Sequence, residues 1–190
     1  MDVFEAMRSR ASLAKLKPDA VPRELIEQLL EAAIWAPNHK MTEPWKFWVW
    51  SGQSREKLAQ AFRENYRRDH PEADDAELEG AGRKTANRVL AAPVTIVVTC
   101  DVGRNETETL ENFVSASLAI EHILLAAHAL SLGAYWRTGE SIYTQPNAVL
   151  ELFDLPQSAK LAGFVLLGYP ETTERNRTRT PWSEKTQWFD

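Results

Sequence analysis

Apolar positions along this chain recur with two periods. From Pro22 to Ile34 they fall at Leu25, Ile26, Leu29, Leu30, Ala33 and Ile34, one face of a helix, and Pro37 supplies its stop. A shorter helix is expected over residues 3 to 10. Leu58, Phe62 and Tyr66, four apart, mark the stripe of another amphipathic helix. Trp45 to Trp50, by contrast, is aromatic and β-branched with Lys46 as its one charge, and reads as a first strand. Val94 to Cys100 is an apolar run without charge, which suits the middle of a sheet. Ala134 to Arg137 and Leu161 to Leu167 supply a third and a fourth strand, the last closed by Gly168-Tyr169-Pro170. A small helix is expected between them, at Asn147 to Phe153.

The longest apolar-rich stretch, Phe113 to Leu132, predicts a long helix that starts near Asn105 to Thr109 and ends at Gly133. It approaches membrane length, but Ser115, Ser117, Glu121, His122 and His128 interrupt it and favour a buried central helix over a span. Residues 67 to 88 are dense in charge, with Glu72-Ala73-Asp74-Asp75-Ala76-Glu77 followed by Gly80 and Gly82. They predict a solvated helix and mobile excursion, the least ordered part of the chain. The tail from Glu171 to Asp190 is polar and Arg-rich yet ends in Trp188-Phe189, rings that a free tail would leave in water. It is expected to dock on another surface, a partner subunit being one candidate. Strands separated by helices, without repeats or Pro/Gly-rich linkers, predict one α+β domain over residues 1–190, with helices packed on a mixed sheet around the long helix.

Composition narrows the function. The chain has 190 residues, 44% hydrophobic and 26% charged, enough for one sizeable core. A formal net charge of -5 repels polyanions, so nucleic acid is not an expected partner. The single cysteine, Cys100, excludes an internal disulfide framework and a single-chain cysteine-ligated iron-sulfur cluster or zinc ribbon, and fits a reducing cytoplasm. Met1-Asp2-Val3-Phe4-Glu5 carries acids where a secretory signal would be basic and then apolar, so the start reads as mature, cytoplasmic protein.

No G-x-G-x-x-G, G-x-x-x-x-G-K-[ST] or G-x-S-x-G occurs, which removes sequence support for the standard dinucleotide, P-loop and serine-hydrolase readings. His122 and His128 share the long helix, but a step of six residues turns them to different faces, so each reads as a core or surface histidine and no metal is expected. An enzyme without a side-chain nucleophile or metal cage draws its reactivity from an organic cofactor. Three segments suit that role. Arg8-Ser9-Arg10-Ala11-Ser12 brings two cations and two hydroxyls to a helix end, able to grip a phosphate. Ala36-Pro37-Asn38-His39-Lys40 follows a helix stop and precedes Glu43-Pro44-Trp45. Tyr135-Trp136-Arg137-Thr138-Gly139 places aromatic, cationic and hydroxyl groups at a strand end. Singly, each also reads as plain structure: a basic helix terminus, a turn, and a strand edge with a snorkelling arginine.

Their order resembles the nitroreductase-like flavoproteins, most closely the short YdjA-type branch. The matching positions are Arg10 and Ser12, Ala36-Pro37-Asn38-His39-Lys40 with Pro44-Trp45, Trp136-Arg137-Thr138-Gly139, and Gly168-Tyr169-Pro170 followed by a basic tail. The resemblance implies an α+β sandwich with a mixed four- to five-stranded sheet, an intertwined homodimer, and FMN sites at the interface built from both chains. It implies that Arg10, Ser12 and Arg179 hold the FMN phosphate, with Arg177 a second candidate cation. His39 would reach the flavin from the other subunit, and Trp136, Arg137 and Thr138 would lie along the isoalloxazine ring. Ala126, Ala127, His128, Ala129, Leu130 and Ser131 would lie near the nicotinamide nucleotide.

The chemistry so implied is ping-pong: NADH or NADPH reduces the flavin, and a small organic acceptor such as a nitroaromatic or quinone takes the electrons in the same cleft. No catalytic side chain is assigned with it, Arg137 being the candidate for an electrostatic role near N1 and O2 of reduced flavin. Two departures stand out. Ala14, with Lys15 beside it, occupies a position where many members carry a second cation. Met41 and Glu43 occupy positions where many have Asn and Gln, so that the polar contact to the flavin edge is left to His39 or absent. Two further functions remain open on sequence: a non-catalytic FMN-binding module, and a flavin-fragmenting or reductive-dehalogenating relative, for which residues 67 to 88 are the one candidate lid.

Overall fold

The chain folds, in a computed structural model that describes residues 1–138, 150–151, 154–156, 158–172 and 177–189, around a sheet sandwiched between helices. In chain order the elements are α1 (Val3–Ser9), α2 (Arg23–Ala33), a 3₁₀ turn (His39–Met41), β1 (Trp45–Ser51), α3 (Ser54–Asp69) and α4 (Asp75–Leu90). There follow β2 (Val94–Cys100), α5 (Glu106–Ala129), β3 (Gly133–Arg137), β4 (Lys160–Gly168) and a second 3₁₀ turn (Trp182–Lys185). Of the small helix expected at Asn147 to Phe153, Leu150 and Glu151 are helical and the remainder lies outside the described residues.

The sheet order is β1-β2-β4-β3. Its strand pairs are antiparallel, and a parallel bridge between Ser12 and Ala134 makes the sheet mixed at the β3 edge. The uncharged run β2 sits between β1 and β4 with all seven residues buried, as its composition predicts. Strand alternation sends Ile96, Val98 and Cys100 to one face, where they meet Ala116, Ala119, Ile120 and Ile123 of α5 and Leu29 of α2. Val97 points to the other face and packs with Leu58 and Phe62 of α3 and Phe164 of β4.

Helix α5 is long and apolar enough to cross a membrane by length and composition. Here it packs on α2 and the sheet. Asn105 caps its start, accepting a 2.9 Å hydrogen bond from Glu108 N. Its end differs from expectation. The left-handed stop is Ser131 (φ 60), not Gly133. Leu132 N donates to Ala127 O (2.8 Å) and Ser131 N to His128 O (3.0 Å), the double bond of a Schellman ending. Gly133 begins β3 instead, where a Cβ would lie 2.7 Å from Leu16.

The charged region is also more regular than its composition suggests. Residues 75 to 90 form a 16-residue helix, and α3 and α4 pack as a hairpin. Asp74 caps α4 by accepting from Glu77 N at 2.8 Å. At the far end, Arg55 Nη1 donates to the carbonyls of Leu90 (2.8 Å) and Ala92 (2.7 Å), tying the end of α4 to the start of α3. A polar helix has little apolar periodicity to announce it, and here packing on a neighbour orders it.

Cys100 has no exposed surface, and burial pushes its thiol up to about 11. The native protein should therefore leave Cys100 unmodified by a thiol-specific disulfide reagent at pH 8, and unfolding should release one reactive thiol per chain. Fast stoichiometric labelling before unfolding would contradict this packing.

Candidate functional site

Helix α1 starts on Asp2, whose carboxylate accepts from Glu5 N at 2.9 Å, and ends where Arg10 turns into extended backbone (φ -55, ψ 135). Beyond it Leu13 N donates to Ala134 O at 3.0 Å, so the N-terminal segment runs along the start of β3. The helix leaves the carbonyls of Arg8 and Ser9 without intrahelical donors. Arg177, from the C-terminal tail, supplies them: its Nη2 donates to Arg8 O (3.2 Å) and Ser9 O (2.6 Å). Sequence reasoning placed Arg177 among the phosphate-holding cations, and the structure directs this nitrogen to the end of α1.

Arg10 lies against α5. Its Nε is 3.5 Å from Glu121 Oε1, and its side chain is only 19% exposed. Arg10 Nη1 is buried and has no hydrogen-bond partner among the described residues. A buried guanidinium N–H without an acceptor is costly, and it marks a place where an anion's oxygen fits. Ser9 completes the cluster. Its one hydroxyl proton goes to Glu5 O (2.7 Å), so His128 Nε2 is the donor in the second bond to Ser9 Oγ, also 2.7 Å. Burial lowers the His128 pKa, Arg177 and Arg10 push the same way, and Glu5 opposes them. Arg10, Arg177 and His128 are therefore gathered at one spot. Ser12 is exposed two residues on, at its bridge with Ala134. Arg179 is exposed on the tail, with Nη1 on the neighbouring Thr178 carbonyl at 3.2 Å.

At the β3 end, alternation parts the predicted residues. Trp136 packs on the α5 side. The Arg137 guanidinium lies 5.5 Å from the ring centroid of Phe62 in α3, on the other side, as a cation over an aromatic face. Thr138 is exposed at the strand end, and Gly139 lies outside the described residues. The Trp136 indole is held by a feature absent from the sequence reading. The β2–β4 register slips after Val98↔Gly163 to Thr99↔Leu161, a bulge at Ala162. Trp136 Nε1 donates to the Ala162 carbonyl at 3.3 Å. Gly163 adopts φ +146, and a Cβ there would collide with the indole nitrogen.

His39 stands elsewhere. It is exposed and lines a cavity of about 550 Å³ with Thr42, Asn105, Glu111 and Asn112, at the N-terminal end of α5. Asn112 holds this region: Thr42 Oγ1 donates to its Oδ1 (3.4 Å), and its Nδ2 donates to Asp101 O (3.1 Å). From Asn112 to Glu121 the helix runs about 14 Å at 1.5 Å per residue, so His39 is set well apart from Arg10 of its own chain. The loop is strained, with Lys40 (φ 50), Met41 (φ 54) and Glu43 (φ 44) all left-handed.

Within the run Ala126 to Ser131, Ala127 is fully buried in the core and cannot touch a nucleotide. Ala129 and Ser131 are exposed, and His128 is engaged with Ser9. Glu121 and Gly163 are the site residues that sequence reasoning missed. Glu121 and His128 are seven apart on one helix, a spacing that returns nearly to the same face and was the available signal.

One face of α5 is uncovered. Leu110, Val114 and Leu118 are exposed at four-residue intervals, as are Val3, Phe4 and Met7 of α1 and Trp182, Trp188 and Phe189 of the tail. Exposed apolar side chains repeated along one face of a helix are a feature of interaction surfaces.

The sequence pattern of the nitroreductase family matches residues 7–169. The chain is 28% identical to the NAD(P)H nitroreductase candidate YdjA of Escherichia coli K12, over 95% of each chain. Its structure is similar to the nitroreductase-like family protein of Bacillus cereus, with a TM-score of 0.88 and 25% identity, covering 100% of this chain and 97% of that one. It is also similar to a nitroreductase candidate from Desulfovibrio desulfuricans solved in complex with FMN. There the TM-score is 0.76 and the identity 28%, over 100% of this chain and 98% of the other.

The bulge and its glycine generate a test. Gly163→Ala should lower unfolding stability by about 1–3 kcal/mol, the cost of a side chain at a backbone angle reserved for glycine, with more added by displacement of Trp136. Chemical denaturation checks this, and an unchanged midpoint would show that the strand accommodates a Cβ.

Proposed function

Because this chain belongs to the nitroreductase family, we propose that it is a homodimeric, FMN-dependent oxidoreductase of the YdjA type that carries electrons from NADH or NADPH to small organic acceptors, nitroaromatics and quinones among them. The observation that carries this reading is Arg10, a four-fifths buried guanidinium whose Nη1 has no acceptor among the described residues, beside Arg177 and His128. That guanidinium fits the phosphate of FMN. Bound there, FMN supplies two-electron redox chemistry that these side chains lack.

In this reading Arg10 and Ser12 grip the phosphate, Arg179 joins from the tail, and Arg177 braces the end of α1. Trp136, Arg137 and Thr138 lie along the ring, with Arg137 the candidate for stabilising negative charge there. Ala129 and Ser131 are the residues at the end of α5 with surface to offer the nicotinamide nucleotide, and donor and acceptor use one cleft in turn. The uncovered stripe of α5, the outer face of α1 and the aromatic tail form the dimer interface. The separation of His39 from Arg10 within one chain supports a pocket in which His39 comes from the partner subunit.

Arg10→Ala should weaken FMN binding by roughly 1.5–3 kcal/mol, the worth of a hydrogen bond to a charged group, without unfolding the protein. Equal affinities in a titration would remove Arg10 from the site. Anaerobic NADH or NADPH should bleach the flavin-loaded protein quickly, whereas a binding module without turnover would stay yellow. Sedimentation should show a dimer at micromolar concentration. Mixing His39→Ala and Arg10→Ala subunits should give heterodimers with one intact and one doubly damaged pocket. Two equally weakened pockets would place His39 in its own subunit's site.

A further inference from the structure

We infer that Glu121 is a built-in competitor of the cofactor phosphate: its carboxylate faces the same Arg10 guanidinium and sets flavin nucleotide affinity by opposing the incoming dianion. This rests on the reading of Arg10 as the phosphate anchor. The geometry is that of a placeholder. The Arg10 Nε–Glu121 Oε1 separation of 3.5 Å is longer than the 2.7–2.9 Å of a charge-assisted hydrogen bond, so the pair is a Coulombic contact, and Nη1 has no acceptor among the described residues. The two exposures differ in the same sense. The cation is 19% exposed, while the carboxylate is 42% exposed and borders water.

The surrounding charges show why Glu121 matters. Arg10 and Arg177 bring two positive charges to the spot, and Glu5 on α1 and Glu121 on α5 bring two negative ones. His128 sits between them with its pKa lowered, and Ser9 is neutral. These four charges thus offset one another before any ligand arrives, with Arg179 standing outside them on the exposed tail. A phosphate dianion that reaches Arg10 Nη1 comes within a few ångströms of the Glu121 carboxylate, and like charges at that distance repel. Deleting only the charge of Glu121 leaves the cluster with one net positive charge and the guanidinium with its full attraction for phosphate. Glu121 does not touch the isoalloxazine end in this scheme, so its effect falls on the phosphate alone. FMN should feel it and riboflavin, which lacks the phosphate, should not.

The experiment titrates FMN and riboflavin into flavin-free, full-length wild-type, Glu121→Gln and Arg10→Ala proteins at low and high salt. Glu121→Gln should raise FMN affinity by about three- to fivefold at low salt, the range of partly exposed charge pairs, with the gain shrinking as salt screens it. Its riboflavin affinity should equal that of the wild type. Unchanged or weaker FMN binding by Glu121→Gln would overturn the inference and make Glu121 a brace for Arg10. An equal gain for riboflavin would overturn it as well, since the effect would not be at the phosphate. Glu121→Ser serves as a second variant should the glutamine form fold poorly. Arg10→Ala separates the two levels. If it weakens FMN while Glu121→Gln gains nothing, the competitor idea alone falls; if it leaves FMN unaffected, the phosphate anchor itself is misassigned and the inference falls with it.

Discussion

Helix α5 lies against the sheet because its inner face is small where closeness is needed and bulky where volume must be filled. Ala116, Ala119 and Ala127 let the helix approach β2 and β4, while Ile120 and Ile123 fill the space beside them, all fully buried. Each such isoleucine is worth roughly 1.5–3 kcal/mol on burial, against about 0–1 kcal/mol for a partly exposed ion pair such as Arg10–Glu121. Packing therefore sets where the polar groups stand, and the polar groups only adjust what binds. Asn112 at one end of the helix fixes the His39 loop, and Glu121 and His128 near the other meet the N-terminal segment. The helix acts as the ruler that spaces the His39 loop from the Arg10 cluster.

How much of this was legible in the sequence depended on whether the signal was local. Strand β2 was readable to the residue because an apolar run without charge has no alternative inside a sandwich. Arg10 was readable because two cations and two hydroxyls at a helix end have a chemistry of their own. The end of α5 was misread by two residues, since glycine is the usual left-handed stop and Ser131 took that position, held by the Leu132 and Ser131 hydrogen bonds. Helix α4 was legible only as a solvated helix somewhere within residues 67 to 88, although Asp74 and Glu77 carried the capping signal that fixes its start. Glu121 and Gly163 gained their places only through partners more than twenty residues away, Arg10 and Trp136.

The bulge at Ala162 shows how a backbone irregularity reaches the site. One extra residue in β4 frees a carbonyl from the ladder, the Trp136 indole takes it, and Gly163 keeps the space clear. The His39 loop works differently. Lys40, Met41 and Glu43 hold left-handed angles that each cost stability, and Asn38 restrains the turn by accepting from Glu43 N at 3.1 Å.

The bond from Arg177 to the carbonyls of Arg8 and Ser9 joins the two ends of the chain across 168 residues or more. During synthesis the chain emerges N-terminus first, so α1 and Arg10 leave the ribosome long before their brace exists. The carbonyls at the end of α1 gain this donor only once the segment that carries Arg177 has emerged, so the N-terminal turn and the tail become ordered together rather than in sequence.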